Sequence, residues 1–165
     1  MTDFGIDIPI NITKAAFIAN LWTTFDYTAY GRAYRNEKEE GLIPEHHVDG
    51  EKSYEDVLLD DKLDALSFFD ITPGDVQLGG MKASVDIYFA VNLKKLFSTV
   101  TERATERAIN DAIVVLRRSA FRILGIDRGL HSWDVWNGVK PGDNMQSFFL
   151  FKFETEVFYQ YTTDC

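Results

Sequence analysis

Hydrophobic and polar residues alternate most cleanly late in the chain, in "SFFLFKFETEVFYQY" at 147–161. Phe149, Phe151, Phe153, Val157 and Tyr159 fall on one side, and Lys152, Glu154, Glu156 and Gln160 on the other. A period of two sends successive side chains to opposite faces, so the segment reads as a half-buried strand. It is long, since about five or six residues is usual. "MKASVDIYFAVNL" alternates in the same way, with Ala83, Val85, Ile87, Phe89 and Val91 on one face. Its other face carries Ser84, Asp86, Tyr88 and Asn92. Shorter runs, "DYTAYGRAYR", "YEDVLL" and "DALSFFDI", read as further strands, with turns expected at Pro73-Gly74 and Gly79-Gly80.

Two segments show the helical period. In "NITKAAFIANLWTTF" the residues Ala15, Ile18, Ala19 and Trp22 recur at helical spacing, with Thr13 as the expected N-cap. In "TERATERAINDAIVVLRRSAFRILG" the apolar stripe is Ala104, Ala108, Ala112, Val115, Leu116, Ala120 and Ile123. Thr99 or Thr101 would cap it, and Glu102 and Glu106 suit the positive end of the helix dipole. Arg117, Arg118 and Arg122 suit the other end, and Gly125 fits a left-handed stop. The order of helix, strands, long helix and last strand, with hairpin-like connections, predicts an α+β domain. Its sheet is antiparallel or mixed, with one long helix and one short N-terminal helix packed on it. Residues 1–165 are expected to form one domain, with an exposed arm or loop at about 36–53. That arm, "EKEEGLIPEHHVDGEKS", is charged and punctuated by Gly41, Pro44 and Gly50.

Composition narrows the function. A hydrophobic fraction of 45% belongs to a folded chain, and a formal charge of -9 argues against gripping nucleic acid through its phosphates. Cys165 is the only cysteine, so neither an internal disulfide nor a cysteine zinc site is available. The N-terminus lacks the basic start and apolar core of a signal peptide. No apolar run approaches the roughly 18 to 20 residues of a membrane helix. A soluble protein of cytosolic origin, without membrane association, is the expectation.

Candidate chemistry is sparse. Glu45, His46 and His47, with Asp60 and Asp61, are the best metal-ligand candidates, but neighbouring strand histidines point to opposite faces. His131 has Ser132 and Asp134 beside it, yet a catalytic triad is assembled across a fold and not along a sequence. The expectation is a protein that is not an enzyme and uses no cofactor or metal. Two alternatives stay open. One is a metal-dependent hydrolase using His46 or His47 with Asp60 or Asp61. The other is an acidic binding or inhibitory protein that mimics the charge of DNA, which needs carboxylates clustered on one face.

Three stretches together carry a resemblance: "YGRAYRNEKEEGLIPE", "YEDVLLDDKLDALSFFDI", and the long helix followed by an aromatic terminal strand. From about Tyr30 to Tyr161 the chain resembles head–tail connector and tail-terminator (neck ring) proteins of tailed phages, notably crAss-like phages of Bacteroidetes hosts. The resemblance implies a structural virion protein in the neck or tail, assembled in the host cytoplasm. It also implies a homo-oligomeric ring that meets the portal and adjacent neck or tail proteins and passes viral DNA without specific binding. The expected subunit contacts are Leu42, Ile43 and Val48 of the arm, with Phe148 and Phe158 on the polar face of the last strand. The expected acidic residues of the channel are Asp60, Asp61 and Asp64, near Asp56, Asp70 and Asp75.

Overall fold

A computed structural model describes residues 5–38, 41–47, 54–56, 62–77, 80–97, 102–129 and 148–160. In chain order they form α1 (Asp7–Asn20), β1 (Tyr27–Lys38), β2 (Gly41–His47), β3 (Tyr54–Asp56), β4 (Ala65–Gln77) and β5 (Gly80–Val91). Then follow α2 (Leu93–Leu96), α3 (Glu102–Leu116), β6 (Arg122–Arg128) and β7 (Phe149–Tyr159). The strands lie in the order β3-β2-β1-β4-β5-β7-β6. Among the described strands only β1 and β4 are parallel, so this is the mixed sheet of an α+β domain.

β1 belongs to two places at once. Its first half, from Tyr27 to Arg32, pairs with β4, and its second half, from Ala33 to Lys38, pairs with β2. The body of the sheet is therefore five strands, with β2 and β3 carried beyond it on the end of β1. The expected arm at 36–53 is in its described part this extension.

β5 and β7 follow the alternation of their sequences. Ala83, Val85, Ile87, Phe89, Phe151, Phe153 and Val157 are buried on one sheet face, under α1 and α3. Rings interlock there: Phe89 stacks on Phe151 at 5.0 Å and meets Phe17 of α1 edge-on at 5.4 Å. Such pairs add about 0.5–1.5 kcal/mol beyond burial alone. Thr155, in the same row, donates its hydroxyl to the Val85 carbonyl at 2.6 Å. Tyr27 and Ser67 share a 2.6 Å hydrogen bond on this side, and burial pushes the Tyr27 phenol well above its ordinary range.

Several elements depart from expectation. α1 begins four residues before the expected segment and buries Ile10, Thr13 and Phe17, leaving Ala15, Ile18 and Ala19 exposed. Thr13 is thus a core residue and not a cap. α3 stops at Leu116, where the Ser119 hydroxyl donates to the Leu116 carbonyl and accepts from Phe121 N–H. A serine side chain that serves the backbone in this way competes with helix continuation. The chain then turns back as β6, so Ile123 and Gly125 lie in a strand and Ala120 is exposed. Pro73 and Gly74 do not make a turn: β4 runs through them with a register shift between Thr72 and Asp75, a bulge that accommodates proline. Thr99 and Thr101 lie outside the described residues.

The other sheet face was expected to be polar, and half of it is not. Ala33, Leu66, Phe68, Tyr88, Ala90, Phe148 and Leu150 form a second buried cluster, with the Phe68 and Tyr88 rings stacked at 5.0 Å. Among the described residues no helix is long and apolar enough to cross a membrane.

Candidate functional site

The helical layer contains a cleft of about 470 Å³ between α1 and α3, in the range of roughly 300–1,000 Å³ found for ligand pockets. Ile12, Ala16, Leu21, Val114 and Val115 supply apolar walls. Ile12 and Val114 are 64% and 49% exposed, which is unusual for aliphatic side chains so near a core. Polar groups sit between them. Trp22 donates from Nε1 to Asp111 Oδ2 at 3.2 Å and so ties α1 to α3. Trp22 is the only non-glycine at positive φ (44°) among the described residues, a conformation that costs a β-carbon-bearing residue about 1–2 kcal/mol. Its ring is wedged edge-on against Tyr27 at 5.3 Å and Phe89 at 6.2 Å. Thr13 is part of the wall, and its buried hydroxyl has no hydrogen-bond partner among the described residues.

A second surface lies at the sheet edge. β7 pairs with β5 along its whole length and with β6 over residues 151–156, so the long aromatic strand is enclosed within the chain's own sheet. The edge is β6. A register shift between Ile123 and Gly125 marks a bulge at Leu124, which is 56% exposed, and Ile126 is 38% exposed. A bulge and flanking charges discourage backbone pairing at an edge. What this edge exposes is side chains, those of Leu124 and Ile126.

Beside β6, the open half of the second face is a lattice of charge. Glu156, largely buried, accepts from Lys82 Nζ at 2.6 Å and from Arg122 Nη1 at 3.2 Å. The Lys82 hydrogen bond, together with the charges of Lys82 and Arg122, holds the Glu156 carboxyl below its ordinary pKa against the opposing effect of burial. Lys152 pairs with Asp86 at 3.1 Å and lies 5.8 Å from the Tyr88 ring centre. Arg122 remains 76% exposed while paired, so it is the outer of the two cations on Glu156. Its role is this pair and not the end of a helix dipole.

The expected site residues separate. Leu42 and Ile43 lie in β2, at register positions opposite Glu37 and Asn36. Val48, Asp60, Asp61 and His131 lie outside the described residues. His46 and His47 are consecutive positions of β2, opposite Glu55 and Tyr54. Phe148 is buried in the second cluster and is not available as a subunit contact. Phe158 is 59% exposed, with Lys82 Nζ 5.6 Å from its ring centre. Asp64, expected at a channel wall, is tied into the subunit's own frame. Its carboxylate accepts from Asp26 N–H at 3.0 Å and pairs with Lys95 at 3.3 Å, fixing the start of β4 against β1 and α2. Among the described residues no cluster of three or more histidine, cysteine or acidic side chains could hold a metal ion.

The cleft and the β6 edge were not legible as sites in the sequence. Thr13 and Trp22 read as a cap and a stripe residue, and Leu124 as part of a helix. No family model, no curated protein and no solved structure matches this chain.

Proposed function

We propose that this chain is a structural virion protein, a subunit of an oligomeric ring in the neck or tail of a tailed phage. It acts as a head–tail connector or tail terminator, meets the portal and adjacent neck or tail proteins, and has no catalytic step. The sequence resemblance and the α+β fold are compatible with this reading. One observation carries it: the subunit exposes two unlike apolar surfaces on different elements. Ile12, Ile18 and Val114 stand out from the helical layer, and Leu124 and Ile126 from the sheet edge. A two-fold dimer needs one patch that fits itself, whereas a ring needs two different patches that fit each other. The extension of β1 with β2 and β3, which holds Leu42 and Ile43, reaches out on the opposite side of the sheet from β6. It offers a further contact.

The charge of -9 supports passage of DNA without binding, because copies around an axis add their fields and repel phosphates. Negative-stain imaging of the purified protein tests the reading. Class averages should show rotational symmetry around a hole that admits a DNA duplex. A closed two-fold dimer or a uniform monomer would rule it out.

A further inference from the structure

We infer that the α1–α3 cleft is the receiving half of the subunit contact, and that its occupant is the β6 edge of a second copy, with Leu124 entering between Ile12 and Val114 and Arg122 meeting Asp111. This rests on the ring reading and deepens it.

Apolar surface is available on both sides. Leu124 projects from a bulge, and the cleft rim is made of two exposed aliphatic side chains. Burial of such surface on both partners is the usual source of association energy.

Charge is complementary. Asp111 is half-buried, with Oδ2 held by Trp22 Nε1 and no partner for its other oxygen among the described residues. That carboxylate is oriented before any guest arrives. Arg122 can be spared from its own subunit, because Glu156 keeps Lys82 at 2.6 Å when Arg122 turns away. A guanidinium between two carboxylates of different chains is well suited to both, since its planar fork presents five donors. The exposed Arg118 at the cleft rim opposes an incoming cation, but a charge in water is screened and the opposition is small. The Thr13 hydroxyl is one further group in this wall that a guest could satisfy.

Donor and receiver lie on different elements, which permits a head-to-tail contact. Repeated with a closing rotation, it gives a ring.

Two kinds of variant separate the halves. Val114→Arg, or Ile12→Arg in its place, blocks the cleft while keeping the edge, and Leu124→Glu blocks the edge while keeping the cleft. All three positions are exposed, so each variant should melt like the wild type diluted to its monomer. By sedimentation velocity the wild type should form closed oligomers and each variant alone should be monomeric. An equimolar mixture of a cleft variant with the edge variant should yield one-to-one dimers and nothing larger, because only one productive pairing remains. If either class of variant alone assembles like the wild type, the ring uses other surfaces and this inference is wrong. A mixture of folded variants that stays monomeric overturns it as well. A wild type that is monomeric overturns the ring reading itself.

Discussion

β6 and β7 are neighbours in one sheet, yet they do opposite things with their hydrophobic residues. β7 places Phe151 and Phe153 in the middle of the core, between two partner strands and beneath the helices. Among the described residues β6 has one partner; it is interrupted by a bulge and leaves Leu124 and Ile126 in solvent. An aromatic strand that looks adhesive in isolation is therefore a core element. A short strand that looks like the end of a helix is the edge that exposes its aliphatic side chains. Hydrophobicity locates burial, but only topology says whether the burial is within the chain or between chains.

The largest effect expected from this contrast is on stability. Phe153→Ala should cost about 3–5 kcal/mol in urea unfolding, as is usual for a buried phenylalanine. It should be measured in the Leu124→Glu background, because the proposed assembly would make apparent stability depend on concentration. A loss below about 0.5 kcal/mol, the range of surface substitutions, would place β7 outside the core.

Next comes the start of β5. A β-carbon on Gly80 would lie 2.9 Å from the Tyr159 carbonyl oxygen, a backbone atom of β7 that has little room to move. Gly80→Ala should cost about 1–3 kcal/mol, the usual range for an overpacked site. A neutral substitution would show that β5 and β7 separate freely at this end.

How much of this could be read from the sequence depended on whether one pattern or two fitted. β5 and β7 were legible because large apolar side chains fill every second position on one face. α1 offered two stripes of equal period, and the one with Ile10 and Phe17 prevailed because Phe17 reaches the aromatic centre of the sheet. β6 was hidden because Leu116, Ala120 and Ile123 continue the helical spacing of α3, while the stop signal is a single hydroxyl on Ser119. Tyr88 counted as polar in the alternation but is buried against Phe68. The cleft depends on how two helices sit side by side, which neither helix sequence specifies alone.

A smaller, pH-dependent effect sharpens the contrast on the charged face. The folded-state pKa of Glu156 is lowered, so its contribution to stability is complete above the ordinary value of about 4.5 and is lost as pH falls through the depressed folded value. Across that acid window the wild type should lose melting temperature faster than Glu156→Gln, and the two curves should run parallel at neutral pH. Parallel curves throughout would mean that Lys82 and Arg122 do not favour the ionised carboxylate.

The smallest effect on folding is at the edge itself. Leu124→Ala should change monomer stability by no more than about 0.5 kcal/mol. Its effect on self-association should be much larger, about tenfold or more for a central contact. Equal effects on both would make Leu124 a core residue and erase the difference between the two strands.

The most direct test of the central claim is the mass of the wild-type protein in solution, by light scattering across a dilution series. A ring subunit should give a single closed oligomer of fixed copy number that dissociates to monomer on dilution without larger open chains. A monomer persisting at about 100 µM, which would bound association at roughly 5.5 kcal/mol or weaker, would contradict it.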